Sequence, residues 1–550
     1  MIFVVVILFL GALFRRISGI AYPIIVFIIS LLSAIGIMAV LKLPMTNIST
    51  ILPSFILVVS ISDAVHILAL FYPQYQKSQD KEEAIIAAMG HAGLPILMTS
   101  LTTAGGLVSF MAAKIAPIAD LGIVVPTAVF LSLCYTVFLI PSLLSIFPVK
   151  LKDNKEKKKK ILDTVFNKIA WISCNRQGLI ITMFCLIVIV AVIGIVGLRF
   201  EHNALKWFPE DSVIRLATEK IDREMGGTVS FDMIIDTGKA DGLYNLDFIH
   251  ALEEAVHKFS VYTSDDLFVG KVLALTTVLK ETNRALHENR QEYYTLPESR
   301  ELIAQELFLF QLSGSDDLDE LVDRQFSKTR FTMHVPYRDT SKCKIFLAEV
   351  ESDLKERFPD CKITTTGVNA LFVEILNNVM TTMARSYTIA LILISLLMIV
   401  MLGKLRMGLL SMIPNLFPII MIIGLMGWLE IPLDFGTVLI GSITIGLIVD
   451  DTIHFLHNFG KYYDQYADPT IATAKTLKTV GRAMLVTSLV LIGGFLCNLL
   501  SELAVNKYSG ILIASTIFVA LITDFLLAPA VLSLVYKKNN AMTLKQEGTK

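Results

Sequence analysis

Charged residues are scarce in this chain. Asp, Glu, Lys and Arg make up 18% of the 550 residues, against about 25% in an average soluble domain. With 54% hydrophobic residues and a mean hydropathy of +0.64, that shortage excludes a soluble enzyme and a disordered chain. Cysteine is scarce too. The six cysteines, at 134, 174, 185, 343, 361 and 497, form no Cys-x-x-Cys or Cys/His spacing that would suggest zinc. Cys343 and Cys361 bracket a helix expected over 342–358. That places them at opposite ends of about 24 Å of helix, beyond disulfide reach. Gly-x-Ser-x-Gly, His-Glu-x-x-His and phosphate-loop motifs are absent, so no catalytic nucleophile or metal-hydrolase site is indicated. A net charge of −1 indicates no nucleic-acid partner.

The charge present is segregated. Residues 201–362 hold 31 of the 49 acids and 20 of the 48 Lys/Arg, a net of −11 that leaves +10 on the remainder. Such a split places the two parts in different surroundings. Apolar runs of bilayer length recur, the cleanest being Gly178–Leu198. Eleven spans are expected, near 1–14, 20–42, 48–72, 93–114, 119–146, 178–199, 385–403, 408–429, 434–458, 480–501 and 508–536. Basic links follow alternate spans: Arg15-Arg16, the 150–176 segment with nine Lys/Arg against three acids, Lys404 with Arg406, and Lys537-Lys538. The positive-inside rule then puts 201–384 outside and the C-terminus in the cytoplasm. Met1–Phe14 gives only about 20 Å of helix and lacks the basic start of a signal peptide, so the chain begins inside a helix.

A repeat runs through the sequence at a fixed offset. Leu43-Pro44 matches Ile431-Pro432, Ser62–His66 matches Asp450–His454, and Thr99-Ser100 matches Thr487-Ser488. Gly105-Gly106 matches Gly493-Gly494, Gly122 matches Gly510, and Pro141 matches Pro529. Every pair is 388 residues apart. Both copies enter the membrane in the same sense, a parallel repeat of the kind that places a transport site between halves. The second copy is preceded by a span and an exterior domain that have no counterpart before the first. Either the chain is incomplete at its N-terminus or a separate polypeptide supplies that span and domain.

Three carboxylates fall mid-span: Asp63, Asp450 and Asp451. Each costs about 2.5–3.5 kcal/mol on insertion scales, so three need a reason. Asp63 with His66, and Asp451 with His454, are three apart and share a helix face, while Asp450 lies one turn before His454. If the repeat axis runs between these helices, both faces meet at the centre. One reading is a proton relay, with protons as coupling ion and no other cofactor. The other is a polar cluster that locks two helices together. Two histidines and three carboxylates also suit a cation, but a site duplicated at the midplane is better explained by coupling ions, so no metal is assigned. Ser62, Thr99, Ser100, Thr487 and Ser488 supply hydroxyls beside the acids, either as bridges to them or as small packing residues. The Lys155–Lys160 run reads as a topology signal or as an attraction for anionic lipid.

On the Ser62–His66 and Asp450–His454 pairs, and on the Pro95–Gly106 run with its copy around 484–494, the chain resembles the resistance–nodulation–division (RND) superfamily. Within it the chain is closest to MMPL-type exporters, which share core spans with the sterol-sensing domain of Patched and Niemann–Pick type C proteins. The resemblance implies proton-driven export of lipids or other hydrophobic compounds from a bacterial inner membrane. Full members have twelve spans and two exterior porter domains, and this chain matches the second span onwards. The implied division is a first transmembrane repeat (1–147), a basic cytoplasmic linker (148–177), a seventh span (178–200), an exterior domain (201–384), a second repeat (385–537) and a cytoplasmic tail (538–550). A rival is an accessory or scaffold protein of sterol-sensing type with no transport of its own. Another is one part of a split transporter.

Within the exterior segment, strands are expected at 228–236, 330–335 and 361–366 and helices at 246–261 and 342–358. Paired strand–helix–strand units indicate a ferredoxin-like α+β domain. Residues 265–325 are acidic and partly helical, with no clear place in that pattern.

Overall fold

In a computed structural model the chain divides into two units, residues 1–200 with 379–550 and residues 201–378. The structure describes residues 2–46, 49, 52–113, 115–149, 156–201, 203–312, 314 and 317–537; the tail at 538–550 lies outside them.

The first unit is a polytopic helical bundle. Among the described residues nine helices are long and apolar enough to cross a bilayer. They are Ile17–Val40, Leu52–Ser78, Lys81–Ala112, Ala116–Ile146, Gln177–Val196, Ala384–Leu402, Leu405–Trp428, Pro469–Leu500 and Ala504–Val535. The remaining two expected stretches are helical as Ile2–Phe14, about 20 Å long, and Phe435–Tyr466. The polar stretch at 80–91 does not form a helix of its own. Lys81–Val108 runs unbroken, because Asp80 caps its start and accepts from the Glu82 amide at 2.8 Å. Pro469–Thr476 likewise continues through a π-helical turn, Leu477–Gly481, into Arg482–Leu496.

The basic link is more than a linker. Its described part is a helix, Glu156–Asn175. Asp163 pairs with Arg482, and the Phe166 ring meets Phe525 edge-on at 5.9 Å.

Positive φ values follow helix ends at Arg15 (50°) and Gly403 (63°), Lys42 (54°) and Glu430 (53°), and Gln79 (60°) and Ala467 (49°). Each couple is 388 residues apart. Asp468, 388 residues after Asp80, also caps a helix, accepting from the Thr470 amide at 2.8 Å.

Burial locates the centre. Within the apolar window of Leu52–Ser78, 83% of residues are buried, against 22% for Gln177–Val196 and for Ala384–Leu402. The helix carrying Asp63 is therefore enclosed by protein, and the other two face lipid.

The second unit holds a four-stranded antiparallel sheet in the order 271–273, 328–335, 229–236, 362–366. Strand 229–236 pairs with 328–335 from Val229 opposite Val335 to Asp236 opposite Lys328. Phe231, Met233, Ile235, Phe331 and Met333 are buried in one core with Leu252 and Phe259 of Leu246–Ser260 and Phe346 and Val350 of Thr340–Arg357. Between the two strand–helix–strand units lie the helices Leu275–Leu286 and Arg300–Leu312, which resolve the segment at 265–325. All six cysteines are free.

Candidate functional site

The Leu52–Ser78 and Phe435–Tyr466 helices bring their acid- and histidine-bearing faces together inside the first unit. The Ser62 hydroxyl donates to Asp450 Oδ2 at 2.7 Å. One turn on, the His66 and His454 rings stack, with centroids 3.9 Å apart and planes 6° apart. Each of these contacts joins two positions related by the 388-residue offset.

The carboxylates are held by hydroxyls from the helices that follow. Ser100 donates to Asp63 Oδ2 at 3.3 Å, and Ser488 donates to Asp451 Oδ2 at 2.9 Å. Thr99 and Thr487 donate to carbonyls of their own helices, Ile96 at 2.9 Å and Met484 at 3.0 Å. Two small cavities flank Asp450, each of about 10 Å³, about the room one water needs. One is lined by Asp63, Thr99 and Ser100 and the other by Asp451 and Thr487.

The histidines do not pair with the acids three residues before them. His66 Nε2 lies 3.9 Å from Asp451 Oδ1 across the helix interface, and His454 Nε2 lies 3.7 Å from Asp450 Oδ1 within its own helix. Both separations exceed a hydrogen bond. His66 Nε2, His454 Nε2 and Asp450 Oδ1 are buried and have no hydrogen-bond partner among the described residues. Such groups are costly to leave unsatisfied, so each calls for a partner that the described side chains do not supply.

One ligand atom from each of His66, Asp450 and His454 lies within 4.8 Å of the others, the spacing of a metal-ligand trio. The ring geometry does not suit one. A metal sits in the plane of each imidazole it binds, and one ion cannot lie in both of two stacked, parallel planes.

Asp524 belongs to this site, and the sequence analysis missed it. It is 1% exposed and sits in a π-helical turn, Thr523–Leu527. Such turns often mark functional positions. The Thr452 hydroxyl lies 2.7 Å from Asp524 Oδ1 and 2.8 Å from Asn415 Oδ1. The Asn415 amide is oriented by its own donation to Ser411 O at 2.9 Å. One hydroxyl proton cannot serve two acceptors, so both contacts are met when Asp524 itself carries a proton and donates to Thr452, while Asp524 Oδ2 has no hydrogen-bond partner among the described residues. The available signal was an acid inside the apolar run 508–536. The repeat concealed it, because the residue 388 before is Thr136.

The glycines act in packing. A Cβ on Gly105 would meet Leu397, one on Gly106 would meet Ile394, and one on Gly493 would meet Phe9.

Two family models match the chain in separate regions. Residues 18–164 match the sterol-sensing domain of SREBP cleavage-activation, and residues 339–548 match the MMPL family. A Methanocaldococcus jannaschii protein, MJ1562, named as a membrane protein, is 23% identical over 385 residues, covering 68% of this chain and 94% of that protein. The chain is thus a polytopic membrane protein with one region similar to a sterol-sensing domain and another similar to the MMPL family. Likeness to these two families is consistent with a non-catalytic protein.

Proposed function

We propose that the protein is a proton-driven exporter of lipids or other hydrophobic compounds, of the RND/MMPL type. The observation that carries this reading is the buried contact of Ser62 with Asp450 beside the His66–His454 stack, which joins two offset-related helices through their ionisable groups. Protons exchange at Asp63, Asp450 and Asp451, with His66 and His454 between them. A carboxylate that gains a proton no longer needs its serine donor or a polar neighbour. Its helix is then free to shift against the other half, and alternating access follows from that rocking.

We read the bundle as eleven spans in two parallel copies, with their site at the interface. The paired positive-φ positions and the helix caps at Asp80 and Asp468 support this. The strand order of the second unit, with a helix between the members of each strand pair, supports a ferredoxin-like porter domain over 201–384. The charge distribution supports an inner (plasma) membrane location with that domain outside and the C-terminus cytoplasmic. A companion polypeptide with one span and one porter domain would make the two halves equal.

The test uses proteoliposomes under an imposed pH gradient, with a fluorescent phospholipid as the probe. Gradient-dependent movement of the probe is lost in Asp63→Asn and in Asp451→Asn, while membrane insertion is retained. Wild-type movement in either variant overturns the reading. The match of 18–164 to a sterol-sensing domain favours a second reading, a lipid-responsive scaffold. In that case wild-type protein shows no gradient-dependent movement at all.

A further inference from the structure

Three helices meet at the Thr452 hydroxyl. Asp524 comes from the π-helical turn Thr523–Leu527, Thr452 from Phe435–Tyr466 and Asn415 from Leu405–Trp428. The residues 388 before them are Thr136, Ala64 and Phe27, none of them an acid or an amide. The Thr136 hydroxyl is buried and has no hydrogen-bond partner among the described residues. The offset therefore pairs Asp63 with Asp451 and leaves Asp524 without a counterpart.

The helix that carries Asn415 has reason to depend on this contact. It contains Pro414 and Pro418, which lack the N–H groups that would bond Leu410 O and Pro414 O. A helix interrupted in this way bends readily at that place. Asn415 lies between the two prolines, is buried, and stands 2.8 Å from the Thr452 hydroxyl.

The surroundings of the turn are mostly neutral. Ser173 of Glu156–Asn175 donates to Phe525 O at 3.4 Å, and Phe166 of the same helix meets the Phe525 ring. Cys174 lies 3.6 Å from Thr473 instead, and Lys168 is exposed. Gln177–Val196 and Ala528–Val535, which also pack on the turn, contain no Asp, Glu, His, Lys or Arg. Among the described residues, the charged group that faces Asp524 is Asp451, one residue before Thr452 and near enough for the two charges to repel. A cavity of about 10 Å³ between Asp451 and Ala520 lies one helical turn before Asp524, room for about one water.

We propose that Asp524 is a positioning residue whose proton joins these three helices into one body. With the proton on, Asp524 donates to Thr452, and Thr452 donates to Asn415. When the Asp524 proton passes to water, the Thr452 proton turns to the ionised carboxylate and Asn415 loses its donor. The Leu405–Trp428 helix is then free to bend at its prolines and to move against Phe435–Tyr466. Charge repulsion links this switch to the centre, because Asp524 gives up its proton more readily once Asp451 has gained one. The inference deepens the exporter reading and rests on it for the movement that the switch gates.

The test follows hydrogen exchange of the full chain in lipid nanodiscs from pH 5 to pH 10, corrected for the intrinsic pH effect. Protection of the amides in residues 405–415 falls about tenfold across that range in the wild type, the equivalent of one lost hydrogen bond. Asp524→Asn keeps a neutral donor and shows constant, high protection. Thr452→Val shows low protection at every pH, and Thr452→Ser restores the wild-type response. Should Thr452→Val fail to fold, Asp524→Asn and Thr452→Ser still decide the matter. The same pH response in Asp524→Asn as in the wild type overturns the proposal, as does constant protection in the wild type. The readout needs no transport, so a wild type that moves no lipid but shows the switch sinks the exporter reading and leaves this role of Asp524 standing.

Discussion

His66 and His454, 388 residues apart in the chain, lie ring on ring with centroids 3.9 Å apart. Two positive imidazoles at that distance repel by about 4 kcal/mol at an effective dielectric constant of 20. The stack therefore holds with at most one proton beyond the neutral pair, and a second proton parts the rings. This makes the contact sensitive to the charge on either side of the interface.

Replacing one ring separates packing from protonation. His66→Phe keeps an aromatic face against His454 and stays within about 1 kcal/mol of wild-type stability. His66→Ala removes the face and costs more, about 1–3 kcal/mol. Both variants lose gradient-driven lipid movement if the imidazole relays protons. Melting curves and proteoliposome transport, measured together, distinguish the two roles.

The Thr452 network gives a second expectation. An amide mimics a protonated carboxyl, so Asp524→Asn keeps a donor towards Thr452 and changes stability by less than about 1 kcal/mol. Asp524→Leu breaks the network and costs about 1–3 kcal/mol. In infrared spectra of the resting protein, Asp524→Asn removes a protonated-carboxyl band that Asp63→Asn leaves in place. Persistence of every such band in Asp524→Asn contradicts the protonated assignment.

Close helix packing makes a third. A Cβ on Gly427 would lie 1.8 Å from Gly194 O, and one on Gly424 would lie 2.4 Å from Ala191 O. Trp428 Nε1 donates to Val190 O at 3.0 Å in the same contact. Small residues here let two lipid-exposed helices approach backbone to backbone. Gly424→Leu forces them apart and lowers stability by about 1–3 kcal/mol, read as an earlier melting transition.

The second unit, residues 201–378, carries a pH dependence of its own. Glu306 is 1% exposed, and its Oε2 has no hydrogen-bond partner among the described residues. Burial pushes its carboxyl up from 4.5 to about 7, partly offset by His287. The folded value lies above the unfolded one, so the contribution to stability is complete below pH 4.5 and is lost as pH rises through about 7. The loss at high pH is about 2–3 kcal/mol. Glu306→Gln removes this dependence and is the more stable form above pH 7, as melting temperatures across pH 4–9 would show.

The sequence by itself determined the membrane class, because apolar runs of bilayer length leave a chain few alternatives. It also located Asp63, Asp450 and Asp451, since an acid within such a run stands out against its neighbours. The strands of the second unit were readable within a few residues, as at Val229–Asp236, because alternating burial leaves a period of two. The tertiary structure decided which groups meet. Spacing along one helix suggested that Asp63 would serve His66, but the interface set His66 against Asp451 instead. Asp524 entered the site only through Thr452 and Asn415, on two other helices. Local patterns record which face of a helix is polar. What that face meets depends on the packing of helices distant in sequence, and no local pattern encodes it.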